Sequence, residues 1–189
     1  MPCSAAPLYN TPVITLIYAH PHPRQSRAGA ALLDAVRDLP GLAVRSLYDL
    51  YPDFAIDAET EQAALRDSRL IVWQHPVYWY GPPALLKLWF EQVLAAGWAY
   101  DGGRALAGKD CLWVCSTGAP FDAYAPGQEH GHEFAAFAPA IRQTALYCGL
   151  RWLDPLVLHG AARAGDETLA EAAQAYRARL MAWIAEHGR

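Results

Sequence analysis

The sequence predicts one α/β domain built on a doubly wound parallel sheet, five strands in the order 2-1-3-4-5 with helices on both faces. Three observations predict it. Short apolar, β-branched runs alternate with amphipathic helical stretches five times along the chain. The runs are continuous rather than alternating, as strands buried on both faces require. The 189 residues, 53% of them hydrophobic, suffice for one domain with a substantial core and are few for two.

Residues 1–12 are rich in Pro, Ser and Ala and lack periodicity, which reads as a flexible extension ahead of a domain at 13–189. Val13 to Ala19 is the first strand. It runs into His20-Pro21-His22-Pro23-Arg24-Gln25-Ser26. A helix follows from about Arg27 to Asp38, with Ser26 as N-cap, and Pro40-Gly41 stops it. Leu42 to Leu47 is the second strand, and Tyr48 to Phe54 a loop. Asp57 caps a short helix to about Asp67. Leu70-Ile71-Val72-Trp73 is the third strand, and a turn marked by Pro76 and Gly81 leaves it.

Pro82-Pro83 suits the first turn of the next helix, where a missing N–H costs nothing. Leu85, Leu86, Leu88, Trp89, Val93 and Leu94 give that helix a broad apolar face. Lys109 to Ser116 is the fourth strand. Thr117 to Glu133 is a long loop, Phe137 to Cys148 a helix, Trp152 to His159 the last strand. Asp166 caps a long final helix.

In such a sheet ligands bind outside the carboxyl ends of the strands. The third loop holds Tyr78-Trp79-Tyr80. Exposed, these offer a flat amphipathic wall for a planar heterocycle; folded inward, they are core. The first loop lacks G-x-G-x-x-G, but its helix N-terminus suits a phosphate, with Ser26 adding a hydroxyl and His20 or Arg24 a donor. An ordinary capped helix is the alternative. Ser116-Thr117-Gly118-Ala119 offers small residues that admit close approach to the backbone. A ligand with a phosphate and a planar ring would touch all three loops, and flavin mononucleotide (FMN) is such a ligand.

Composition excludes several classes. A net charge of −4 without a basic stripe argues against nucleic acid. No apolar run approaches a membrane span and no signal peptide is read, so a cytoplasmic setting is expected. Cys3, Cys111, Cys115 and Cys148 form no C-x-x-C pair and read as reduced. His130, His132 and Glu133, or His20 with His22, lack a third ligand at a recognised spacing, so no metal is expected.

Tyr18-Ala19-His20-Pro21 with Ser26, the segment Gln74 to Tyr100, and Ser116-Thr117-Gly118 resemble the flavodoxin-like NAD(P)H:quinone oxidoreductases. Ser46 to Phe54, Gly97-Trp98-Ala99-Tyr100 and Tyr147 to Leu150 with Trp152 resemble more closely one bacterial branch, the ancillary subunits of glutathione-gated potassium efflux antiporters. The resemblance covers nearly everything from Val13 onward.

It implies an FMN phosphate on His20, Ser26, Arg27, Ala28 and Gly29. It implies an isoalloxazine edge against Val77, Tyr78, Trp79 and Tyr80, largely through backbone, with Ser116, Thr117, Gly118 and Ala119 on the other side. FMN is favoured over FAD, whose users in the family carry a C-terminal extension. Tyr124 and His130 match the pair that faces the quinone and would supply or relay a proton; a solvated loop is the other reading of His130. A homodimer with its site at the subunit boundary is implied, and NAD(P)H as co-substrate. Ala119 stands where the family has a second Gly, which would strain a positive φ. Gly29 stands where relatives carry Asn.

The expected activity is two-electron hydride transfer from NAD(P)H to a quinone by a ping-pong mechanism. The alternative is a regulatory subunit docked on a potassium efflux antiporter at the cytoplasmic face of the inner membrane, with Tyr48 to Phe54 a candidate contact. An electron carrier fits less well, since the chain is only mildly acidic.

Overall fold

The computed structural model of the protein describes residues 13–187. The expected extension at 1–12, with Cys3, lies outside the described residues. The strands are β1 (Ile14–Tyr18), β2 (Leu42–Ser46), β3 (Leu70–Pro76), β4 (Asp110–Ser116), β5 (Arg151–Trp152) and β6 (Leu156–Leu158). The helices are α1 (Arg27–Asp34), α2 (Leu47–Leu50), α3 (Ala58–Arg66), α4 (Ala84–Val93), α5 (Pro139–Tyr147) and α6 (Asp166–His187). The sheet runs β2-β1-β3-β4-β5, every pairing parallel, and β6 also pairs with β4. This is the expected order with its last strand in two pieces.

That break has a local cause. Asp110 pairs with Arg151 and Cys111 with Trp152, but Val114 pairs with Leu156. Leu153, Asp154 and Pro155 thus face only Leu112 and Trp113, a bulge of one residue. Pro155 has no N–H to give the ladder, so the bulge falls where a donor is missing.

Side chains alternate across the sheet. Ile14, Leu16, Tyr18, Leu70, Val72, Leu112 and Val114 pack with Leu32 and Val36 and with Tyr176, Leu180 and Trp183, so α1 and α6 cover that face. Ile17, Ile71, Trp73, Cys111, Trp113 and Cys115 pack with Leu65 of α3, Leu85 and Trp89 of α4, and Ile141 of α5 on the other. Each fully buried Leu or Ile contributes roughly 1.5–3 kcal/mol. Cys111, Cys115 and Cys148 are free and buried, and burial raises all three thiols, Cys148 to about 11.

Local departures follow from capping and pairing. Ser26 and Asp57 cap α1 and α3 as expected, through Gly29 N–H and Thr60 N–H. α1 ends at Asp34 rather than Asp38 and continues as turns. β3 extends to Pro76 because β4 pairs with it as far as Ser116. Pro83 is the N-cap of α4, outside its first turn. The loop after β2 starts as the helical turn α2, with Leu47 buried.

Glu61 holds the second face together. It is fully buried on α3 and accepts hydrogen bonds from Arg45 of β2, Tyr51 Oη at 2.6 Å and Trp89 Nε1 of α4 at 3.0 Å. A buried carboxylate demands such donors. They tie the middle of α4, at Trp89, to α3 and β2.

Candidate functional site

A cavity of about 300 Å³ opens at the carboxyl ends of β1, β3 and β4. His20, His22, Gln25, Ser26, Arg27 and Ala28 form one wall. Pro76, Val77 and Tyr78 form the second; Ser116, Thr117 and Gly118, with Ala161 and Ala162, form the third. The three predicted loops therefore converge on one space.

The first wall is a helix N-terminus with donors to spare. Ser26 Oγ accepts Gly29 N–H at 2.9 Å and Ser26 O accepts Ala30 N–H at 3.0 Å. Of the first four N–H groups of α1, those of Arg27 and Ala28 remain for an anion. Gly29 itself lies one turn in. A Cβ there would come 2.4 Å from Ser26 Oγ and 2.8 Å from Tyr18 Oη, so the close cap requires glycine. Gln74 ties β3 to this turn by donating to Gly29 O at 3.1 Å.

His20 Nδ1 accepts His22 N–H at 3.0 Å, so Nε2 carries the proton of the neutral ring. Burial lowers its pKa and keeps it neutral. Arg27 turns its guanidinium to Ala164 O at 3.3 Å and Asp166 at 2.6 Å, at the start of α6. Its charge is thereby committed outside the helix N-terminus.

The second wall is strained. Tyr78 N–H donates to Gly81 O at 3.0 Å and Gly81 N–H to Tyr78 O at 3.1 Å. Trp79 and Tyr80 between them have φ of 48° and 66°. A two-residue turn with both central φ positive is type I′, normally built from Asn and Gly. Holding two aromatics there costs about 1–2 kcal/mol each. The turn lifts Trp79 to 95% exposure, with Tyr78 and Tyr80 also exposed. The trio is exposed rather than core, and of the three only Tyr78 lines the cavity. Val77 N–H is taken by Ser116 O and Tyr78 N–H by the turn, whereas the N–H groups of Trp79 and Tyr80 have no acceptor among the described residues.

The third wall is open. Gly118 has no positive φ, and a Cβ on it would meet nothing within 4 Å. Ala119 also avoids positive φ, so the expected strain is absent. It lies just beyond the cavity wall, and its carbonyl accepts from Thr117 Oγ1 and Gly160 N–H, both at 2.8 Å.

Tyr124 and His130 come together beside this space rather than on its lining. Their rings stack at 4.2 Å and 14°, and Tyr80 Oη lies 3.3 Å from His130 Nδ1. His130 Nε2 is buried with no partner among the described residues. Burial raises the Tyr124 pKa and keeps its proton in place. A wider cleft of about 510 Å³ lies at the amino end of β4, but its buried Asp110 is already satisfied by Arg151 and Trp183.

A family model described as the flavodoxin-like fold matches residues 13–180. The chain belongs to the flavodoxin-like fold family. Within it, the glutathione-regulated potassium-efflux system ancillary protein KefF of Citrobacter koseri is 49% identical over 178 residues, 93% of this chain and 100% of that protein. General stress protein 14 of Treponema denticola, solved in complex with FMN, superposes with TM-score 0.83 at 35% identity, covering 90% of this chain and 99% of that one. A chain described as a thermophilic tryptophan halogenase from Streptomycin violaceusniger superposes with TM-score 0.84 at 40% identity, covering 89% and 98%. Names this diverse on one frame show that the reaction must be argued from the site.

Sequence reasoning missed Ala161 and Ala162, which follow β6, although the rule that ligands gather at carboxyl strand ends points there too. It also missed His159, Thr117's partner, since nothing in its local sequence sets it apart.

Proposed function

We propose that this protein is an FMN-dependent NAD(P)H:quinone oxidoreductase. The observation that carries the reading is the convergence, on one cavity, of a helix N-terminus with two free N–H groups, an exposed aromatic turn and a glycine with empty space above it. A flavin phosphate, ring edge and ring face need those three features, so the residues fit the group. The FMN in the Treponema denticola relative supports the choice.

Bound there, FMN would supply the two-electron hydride chemistry between NAD(P)H and a quinone, in a ping-pong cycle, that no side chain of this protein can carry. The protein does the rest. Arg27 and Ala28 N–H groups and the α1 dipole hold the phosphate. Neutral His20 offers its Nε2–H without adding charge. The free N–H groups of Trp79 and Tyr80 are preorganised donors for negative charge at the ring edge. Tyr124, held protonated by burial, would offer its O–H as a hydrogen-bond donor to the quinone oxygen, with His130 stacked on it and held by Tyr80. In this reading the working form is a homodimer, and the partner covers the exposed Trp79.

The test is a visible absorbance spectrum of the purified protein, then NADPH under nitrogen, then a quinone. A flavin spectrum that bleaches and returns is expected. A colourless protein that takes up no added FMN overturns the reading.

A second reading rests on the 49% identity to KefF over that protein's whole length. The chain would act as an ancillary subunit of a potassium efflux antiporter, docked at the cytoplasmic face. Among the described residues no helix is long and apolar enough to cross a membrane. Stable association with the purified antiporter is expected, and its absence counts against this role.

A further inference from the structure

His159 lies on the segment that follows β6, and its imidazole reaches across to β4's carboxyl end. Thr117 is buried, and its Oγ1 donates to Ala119 O at 2.8 Å. A hydroxyl has one proton. The 3.1 Å contact between Thr117 Oγ1 and His159 Nδ1 must then be served by the ring, with Nδ1–H donating and Nε2 bare. Burial lowers the His159 pKa, which keeps this neutral tautomer near pH 7.

The same two segments are laced through the main chain. Thr117 N–H donates to Leu158 O at 2.9 Å, Ala161 N–H to Thr117 O at 2.8 Å and Gly160 N–H to Ala119 O at 2.8 Å. Gly118 sits in the middle of this lacing and makes none of these bonds itself. It is the most permissive residue on the cavity wall. The Thr117 hydroxyl bridges over it to Ala119, a local side-chain link of the kind Thr makes in turns. Left alone, that hydroxyl would be free to rotate away. The Tyr124 side chain also hydrogen-bonds this hydroxyl, and with Nδ1–H incoming its 2.8 Å bond to Ala119 O takes the proton.

The ring also closes a cage. Its centroid lies 5.3 Å from Phe121 at 72°, 5.0 Å from Phe134 at 89° and 5.6 Å from Tyr124 at 51°. The edge-on contacts with the two Phe rings and the tilted one with Tyr124 fix the ring without taking up its nitrogens.

We infer that His159 is a positioning residue: through the Thr117 hydroxyl it fixes the Thr117–Ala119 wall of the cavity, and through its ring it seats Tyr124. The role toward FMN rests on the flavin reading above; the fixing of the wall does not.

The test compares two variants with the parent. His159→Phe keeps a ring and removes the donor. His159→Asn restores an N–H donor near the Nδ1 position. Two quantities are read: amide hydrogen exchange at Gly160 and Ala161 in the ligand-free protein, and the FMN dissociation constant by fluorescence titration. His159→Phe is expected to speed exchange and weaken FMN binding roughly tenfold, the weight of one buried hydrogen bond. His159→Asn is expected to stay near the parent on both and in thermal midpoint, while the midpoint of His159→Phe falls by the few degrees that one lost buried hydrogen bond implies. Exchange in His159→Phe equal to the parent overturns the inference, and so does a His159→Asn as impaired as His159→Phe. If the parent binds no FMN while exchange still separates the two variants, the flavin reading fails and the positioning role stands.

Discussion

Trp113 donates its indole N–H to Nε2 of His75 at 2.8 Å. His75 therefore carries its own proton on Nδ1, which donates to Pro76 O at 2.8 Å. The ring is fully buried and neutral at the carboxyl end of β3, one residue behind the cavity wall. Burial pulls its pKa down from 6.5 to about 4. The sign follows from linkage. Above pH 6.5 the ring is neutral folded or unfolded, and no penalty exists. As pH falls from 6.5 toward 4, the unfolded chain takes up a proton that the folded chain refuses. Stability should drop by about 3 kcal/mol across that window and level off below it. Urea unfolding from pH 7 to 4 measures it. In His75→Gln this part of the pH dependence should vanish; a slope unchanged in that variant would place the proton uptake elsewhere.

Glu61 is the second test of buried chemistry. Arg45, Tyr51 and Trp89 all donate to it, and it has no exposure. Replacing it by Leu strands a largely covered guanidinium, the Tyr51 hydroxyl and the Trp89 indole N–H. The expected loss is about 3–5 kcal/mol. Glu61→Gln keeps the shape and one of the two acceptor oxygens, setting its NH2 against the remaining donor, and should still lose less than leucine. Equilibrium denaturation of both variants checks the order, and equal losses would mean that the negative charge, which both variants remove, outweighs the acceptor and shape that glutamine keeps.

How much of this was legible in the sequence depends on the range of the interaction. The strands were readable because each run is apolar on both sides, as at Leu70 to Trp73, and the caps because Ser26 and Asp57 act within three residues. The three loops were readable because strand ends in this topology converge. The bulge at Pro155 was not, since it depends on register against β4. Glu61 looked like one more polar residue on a short helix, because its donors come from three other elements. His159 was invisible for the same reason: Thr117 is far away in the chain and adjacent only in the fold. The positive φ at Trp79 and Tyr80 ran against local propensity, and such conflicts gather at functional sites.

That conflict can be probed directly. Trp79 is 95% exposed and sits at φ 48°, so its ring gains no burial and its backbone is strained. Trp79→Gly relieves the strain and should leave the thermal midpoint level or higher. Under the reductase reading the same change removes an aromatic face from the quinone side, worth about 1 kcal/mol. KM for the quinone should rise several-fold, with stability undiminished. A fall in midpoint would show that the ring is buried in solution, as the dimer of the reductase reading would bury it against the partner.

Two glycines, Gly29 one turn behind the cavity and Gly118 on its wall, separate architecture from ligand space. A Cβ at Gly29 collides with Ser26 Oγ at 2.4 Å and Tyr18 Oη at 2.8 Å. Gly29→Ala must displace the Ser26 cap, and losing a cap costs about 1 kcal/mol. Its midpoint should fall with or without FMN. A Cβ at Gly118 meets nothing within 4 Å, and its φ is not positive. Gly118→Ala should therefore fold as well as the parent, or slightly better, since alanine loses less entropy than glycine. The methyl group would enter the space assigned to the flavin. FMN affinity should fall roughly tenfold or more, the scale of an overpacking penalty above 1 kcal/mol. Thermal unfolding without ligand and an FMN titration, run on both variants, give four numbers. The assignment of that space predicts stability lost in the first variant and affinity lost in the second. Full FMN affinity in Gly118→Ala would move the flavin off this wall.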